Sequence, residues 1–127
     1  MRKVGPSEDP PKKLIQLIID TFSNGKKEEA IIKIESLIKD YPLAPLLFNI
    51  SGTFYKSNGQ LDIAVTKFEQ ALNLEPNYAE VHYNLGVTLR ELDKIEEAIK
   101  SYNKAISIKN VYPNAHFNLG NALLSLK

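Results

Sequence analysis

Apolar residues recur along this chain at helical spacing in short blocks, and polar turn signals interrupt the blocks at regular intervals. Leu14, Ile15, Leu17, Ile18 and Phe22 form the first block, which Asn24-Gly25 stops; a second resumes from Glu28 to Ile38 and ends before Pro42. The same order follows, with a turn at Asn58-Gly59, a helix from about Asp62 to Leu74 and a break at Glu75-Pro76-Asn77. Asparagine followed by glycine suits a helix end because both accept the left-handed backbone that closes it. In the next unit the predicted turn is Asp93-Lys94, and Pro113 disfavours helical geometry at Tyr112, so a helix also ends over Lys109 to Tyr112. The pattern predicts an all-α chain of helix-turn-helix units.

Sliding the sequence by the interval from Ala30 to Ala64 also lays Ala64 on Ala98, and superposes Gly52, Gly86 and Gly120, with no insertion from Pro11 onward. His82 falls on His116, Asn84 on Asn118 and Leu85 on Leu119. Self-similarity at this period marks units that bury their apolar faces only by stacking on their neighbours. The expected organisation is a leader over 1–10, repeats over 11–44, 45–78 and 79–112, and the first helix of a fourth over 113–127. The glycines of first helices are expected to meet the alanines of second helices where the two cross, with Ile18 opposite Ala30 as a divergent version in the first unit. Phe48, Tyr55, Phe68, Leu72, Leu89, Tyr102 and Ile106 are expected to fill the space between successive helices.

These residues resemble the tetratricopeptide repeat family. "AEVHYNLG" at 79–86 and "PNAHFNLG" at 113–120 are similar to its first-helix signatures, and "IAVTKFEQALNLEPN" at 63–77 and "EEAIKSYNKAISI" at 96–108 to its second helices. The bulky aromatic usual near the start of the repeat is Phe48, His82 or His116 here, and Asn110 stands where a proline is usual. The resemblance implies a right-handed superhelical solenoid whose concave face is lined by first helices and binds peptides or partner proteins, with no catalysis of its own. A nearer echo is with repeats that precede the enzyme domains of O-linked N-acetylglucosamine transferase and of bacterial sulfotransferase- or methyltransferase-type proteins. It rests on the asparagine of "NLG", which forms a ladder along the groove there; the matching positions here are Gln16, Ile50, Asn84 and Asn118, so the ladder is interrupted at Ile50.

If first helices line a groove, spacing places Lys12, Ile15 and Ile19 on it from the first, Asn49, Thr53 and Lys56 from the second, Tyr83, Val87 and Arg90 from the third, and Asn114, Phe117 and Asn121 from the fourth. The expected peptide-binding set is Asn49, Thr53, Tyr83, Asn84, Val87 and Arg90, together with Asn114, Phe117, Asn118 and Asn121. An amide such as Asn84 can both donate to and accept from an extended peptide backbone; the alternative is that it bonds a neighbouring helix. Chaperone-binding members of the family grip a terminal carboxylate with lysine, asparagine and arginine from three successive first helices. The corresponding positions hold Ile15, Ile19, Ile50, Glu80 and Asn84, or in the other register Asn49, Thr53, Asn84, Asn114 and Asn118. Neither set contains a cation, which argues against chaperone tails.

Charge narrows the classes of partner. Sixteen basic residues face 15 acids in 127 residues, and the three full units carry net charges of +1, −1 and zero. That balance supplies neither a basic stripe for nucleic acid nor a cationic face for a membrane. There is no cysteine, so disulfides and thiolate metal sites are excluded. The polar start, without a signal-peptide core, is expected of a cytoplasmic protein. His82 and His116, on equivalent helices one repeat apart, are too distant to share a zinc ion whose ligand atoms lie ~2 Å away, and a packing role is expected. Glu28-Glu29 and Glu96-Glu97 fall at the starts of second helices, where acids complement the helix dipole. No phosphate loop, nucleophile elbow or metal-spaced histidine pair occurs, so neither catalysis nor a cofactor is expected.

The leading expectation is therefore a non-enzymatic module that holds a peptide or partner protein in its groove. The alternatives are the targeting or substrate-docking region of a larger transferase, and a module for weak self-association through Phe117, Leu119, Leu123, Leu124 and Leu126, which no second helix covers.

Overall fold

A computed structural model describes residues 9–127, so the expected leader lies, apart from Asp9 and Pro10, outside the described residues. Among them seven α-helices follow in order: α1 Lys12–Ser23, α2 Lys27–Asp40, α3 Pro45–Ser57, α4 Leu61–Leu74, α5 Ala79–Glu91, α6 Ile95–Ile108 and α7 Pro113–Ser125. Each packs chiefly on the helices before and after it, which makes an all-α helical-repeat solenoid. No helix among the described residues is long and apolar enough to cross a membrane.

The turns inside the units share one hydrogen-bonding scheme. Gly25 N–H donates to the Phe22 carbonyl and Lys26 N–H to that of Thr21; Gly59 and Gln60 repeat the pair onto Lys56 and Tyr55. Asp93 and Lys94 do the same onto Arg90 and Leu89, at 3.0 and 2.9 Å. These are Schellman closures, which need a left-handed residue just past the helix. Gly25 and Gly59 supply it at φ of 87° and 80°, and Asp93 at 62°. The third turn is therefore Leu92-Asp93, one residue earlier than the expected Asp93-Lys94. Aspartate tolerates the left-handed region better than most residues with a side chain, so the turn survives without glycine.

The close approach within a unit also differs from expectation. A Cβ built on Gly52 would meet the Phe68 ring at 2.6 Å, and one on Gly86 the Tyr102 ring at 2.6 Å. The glycines thus accommodate aromatic rings of the second helix, one turn beyond Ala64 and Ala98. Those alanines are nevertheless wholly buried. In the first unit Ile18 and Ile34 stand at the glycine and ring positions, and both are buried in one core cluster. Two medium side chains there replace one absent and one large, which keeps the volume similar.

The core has two contiguous parts. Ile15, Ile18, Ile34, Leu37, Leu47 and Phe54 fill the first, where Phe22 stacks on Phe54 with ring centroids 4.3 Å apart and planes 6° from parallel. Phe48, Phe68, Val81, Leu89, Tyr102 and Ala122 belong to the second, and Ile38 and Tyr55 touch both. Between the first two units, Glu35 of α2 accepts from Ser51 of α3 at 2.7 Å and from Lys67 of α4 at 2.8 Å. Three helices are thereby tied by one carboxylate, a charge-assisted arrangement stronger than a neutral bond.

Candidate peptide-binding surface

Helices α3, α5 and α7 bond one another in turn through residues 35 apart in sequence. The Asn84 amide donates to Asn49 Oδ1 at 2.9 Å, Asn118 donates to the Tyr83 hydroxyl at 3.0 Å, and Arg90 donates to Ser125 Oγ at 3.2 Å. Lys56 pairs with Glu91 at 3.6 Å in the same register. The offset follows from the repeat: one period reaches the equivalent position on the next odd-numbered helix, and a single further step reaches the residue that faces it. Between α1 and α3 the recorded contact is the apolar Phe22–Phe54 stack, and the seam becomes amide-rich beyond it.

Asn49 is only 5% exposed, and its oxygen is held by Asn84. Burial pushes the nearby Tyr78 phenol up from its ordinary pKa, with the Asn49 side chain acting in the opposite direction. Asn49 is accordingly part of the framework under the surface. Thr53 is exposed and bonds the Asn49 carbonyl through its hydroxyl, and Val87 is half-buried against the second core. Tyr83, Asn84, Arg90 and Asn118 are half-buried, with the mutual bonds given above; Asn114, Phe117 and Asn121 are exposed.

Tyr83 has neighbours that sequence spacing did not bring to it. Its ring lies 6.1 Å from that of Tyr102 and 5.2 Å from that of Tyr112, and the Lys109 ammonium stands 4.6 Å over the Tyr112 ring. Burial raises the Tyr112 pKa, with Glu80 and Tyr83 adding to the effect. Tyr102 is pushed up to about 12, first by burial and then by Tyr83, with Arg90 opposing. The signal for Tyr112 was present as its alignment with Tyr78, one repeat earlier. Both tyrosines immediately precede an odd-numbered helix and so reach the same seam.

The histidines have a local task. His82 Nε2 bonds the Pro76 carbonyl at 2.9 Å and His116 Nε2 the Asn110 carbonyl at 3.2 Å, each six residues back. A carbonyl only accepts, so Nε2 carries the hydrogen in each, and the ring fastens its helix to the preceding turn. Glu28, Glu29, Glu96 and Glu97 lie in the first turns of α2 and α6 and are exposed.

A family model described as the TPR repeat matches residues 52–93 and 88–127, more than half of the chain. The chain belongs to the tetratricopeptide repeat family. Among solved TPR structures, the first TPR of Spaghetti (RPAP3), bound to the HSP90 peptide SRMEEVD, superposes with a TM-score of 0.89 at 21% identity, covering 99% of this chain and 98% of that one. The Sgt2 TPR domain from Aspergillus fumigatus gives 0.88 at 18% identity over 96% and 84% of the two chains. The Yersinia enterocolitica type III secretion chaperone SycD, in complex with a peptide of the translocator YopD, gives 0.86 at 17% identity over 95% and 98%. At these identities the likeness is one of fold. Sequence comparison with curated proteins gives no match.

Proposed function

We propose that this TPR solenoid is a non-enzymatic interaction module that holds a peptide or partner protein against α5 and α7, through Tyr83, Asn84, Asn118 and the exposed Phe117. The observation that carries this reading is the state of the two amides. Asn84 and Asn118 each commit one N–H to the neighbouring helix. The remaining N–H and the carbonyl are the donor and acceptor an extended backbone requires. Both readings of the asparagines then hold together: one half of each amide bonds the seam and the other meets a ligand. Thr53, Val87, Arg90, Asn114 and Asn121 border the same surface.

Two of the related structures carry peptides, which supports a peptide ligand here; the acidic sequence SRMEEVD does not transfer. By resemblance, the positions that would grip its terminal carboxylate are Ile15, Ile19, Ile50, Glu80 and Asn84, or in the other register Asn49, Thr53, Asn84, Asn114 and Asn118, and neither set supplies a cation. Nearby, Lys56 is occupied by Glu91, and Arg90 bonds Ser125. The ligand favoured is uncharged at its contact residues and makes backbone and aromatic contacts.

A display selection of random peptides on the wild-type protein, with each recovered peptide titrated against a Tyr83→Ala, Asn84→Ala double variant, tests this. Recovered peptides are expected to lack acidic C-termini and to lose more than about 1 kcal/mol on the variant. Equal affinity for the variant, or a set ending uniformly in acidic residues, would move the site elsewhere. Even charge mixing also predicts no specific nucleic-acid binding, and submicromolar salt-sensitive affinity for unrelated DNA would contradict it.

A further inference from the structure

We infer that the seam of α5 and α7 selects an uncharged, proline-rich segment in the polyproline II conformation. This selectivity rests on the peptide surface proposed above, and specifies the conformation and composition of what that surface holds.

Three side chains on the seam keep hydrogens that no group among the described residues accepts. The Asn84 and Asn118 amides have two N–H groups each and give one, to Asn49 and to Tyr83. The Tyr83 hydroxyl takes up the Asn118 bond through its oxygen, which leaves its own hydrogen to donate. Asn84 and Asn118 are equivalent residues on α5 and α7, two helices in contact, and packed helices lie about 8–10 Å apart. A segment that crosses both must therefore turn a carbonyl the same way once in each such interval. A polyproline II chain does so every third residue, about 9.3 Å along its axis. A β-strand repeats every second residue, about 6.6 Å, and falls out of step at the second amide.

The rings beside these amides favour proline. Tyr83 and Tyr112 are half-buried, with centroids 5.2 Å apart and planes 35° from parallel. They form a wedge rather than a closed stack, unlike Phe22 and Phe54, whose planes are 6° apart. Proline-rich segments dock on aromatic walls, and their polyproline II form is preformed, so little conformational entropy is lost on binding. Proline also carries no N–H, which suits a surface offering three donors and, in the two amide oxygens, fewer acceptors. Charge points the same way. Lys109 stands over the Tyr112 ring, and Glu80 adds to burial in raising that phenol's pKa, so opposite charges balance beside the rings. Helix α3 has Asn49 where α5 has Tyr83, which places the segment across α5 and α7 rather than α3.

The probes are two fluorescently labelled peptides of equal length without charged residues, four repeats of Ala-Pro-Pro and four of Ala-Thr-Gln, titrated into the protein by fluorescence anisotropy. The proline peptide is expected to bind saturably and at least about tenfold more tightly than the other. Its affinity is expected to fall at least about tenfold in an Asn84→Ala, Asn118→Ala protein. A several-fold loss is expected in Tyr83→Phe, which keeps the ring and removes only the hydroxyl; circular dichroism checks that both variants fold. Absence of saturable binding by the proline peptide, equal affinity for the two peptides, or binding indifferent to both variants overturns the proposal. The peptide surface itself is judged separately, by the random peptides of the display selection. If those lose affinity in the Tyr83→Ala, Asn84→Ala variant while the proline peptide fails to bind, the surface stands and the preference for proline falls. If those are unaffected by the variant, both fall.

Discussion

Helices α5 and α7 have nearly the same signature, "AEVHYNLG" against "PNAHFNLG", yet their surfaces differ. Gly86 is buried under a tyrosine ring, and Gly120 is open. Leu89 is 5% exposed and Leu123 is 49%. Val81 and its equivalent Ala115, by contrast, are both buried, because each faces a helix that precedes it. In a solenoid, one side of each helix is covered by what comes before it and the other by what comes after, so burial is a property of position in the stack. A motif alone therefore does not say whether its glycine is a packing necessity or an open notch.

The largest contrast is expected between the aromatic residues of the two regions. Tyr102→Ala removes a buried ring from the second core and is expected to cost about 3–5 kcal/mol in urea denaturation, whereas Phe117→Ala, at a position 69% exposed, is expected to change stability by less than about 0.5 kcal/mol. Comparable losses would show that α7 is covered in solution.

The glycines sharpen the comparison. Gly86→Ala forces the Tyr102 ring to shift and is expected to destabilise by about 1–3 kcal/mol, although alanine is the better helix former. With no ring above it, Gly120→Ala keeps only that propensity gain and is expected to stabilise by up to about 1 kcal/mol. Opposite signs for one substitution at two equivalent positions are what denaturation midpoints would report; equal signs would refute the packing account.

A smaller effect is expected at the third turn. Asp93 is strained in a left-handed backbone that Gly25 and Gly59 adopt freely, so Asp93→Gly is expected to stabilise by about 0.5–1 kcal/mol, and Gly59→Ala to destabilise by at least as much.

The alkaline limb of the stability profile supplies the finest test. The unfolded Tyr102 phenol titrates near 10 and the folded one near 12, because burial disfavours the phenolate. A raised pKa means that the stabilisation is complete below pH 10 and is lost as pH rises from 10 towards 12. Tyr102→Phe is expected to flatten this loss without abolishing it, since Tyr55, Tyr78 and Tyr112 are raised as well. Denaturation midpoints measured on either side of pH 10 for both proteins check the slope.

The helices and their order were legible in the sequence because they depend on local rules: apolar spacing, left-handed caps and prolines at helix starts. Even the misplaced third turn was wrong by one residue, since aspartate signals the left-handed position less strongly than glycine. The candidate site was legible in part. Tyr83, Asn84 and Asn118 share the seam that their spacing implied, but Asn49 is buried beneath it, and Tyr112 and Lys109 arrive from the preceding turn and helix end.

By itself, then, the sequence determined the period, the helices and the family, all of which rest on interactions within a few residues or on identity at a fixed shift. Tertiary structure alone decided which side chain covers which. The ring over each glycine comes from the middle of the next helix, the bonds between odd-numbered helices join residues 35 apart, and Glu35 gathers Ser51 and Lys67 from two further helices. Repetition makes positions equivalent in backbone terms. Each partner is set by the volume and polarity of side chains packed from both sides, and the two sides are not equivalent at the end of a stack.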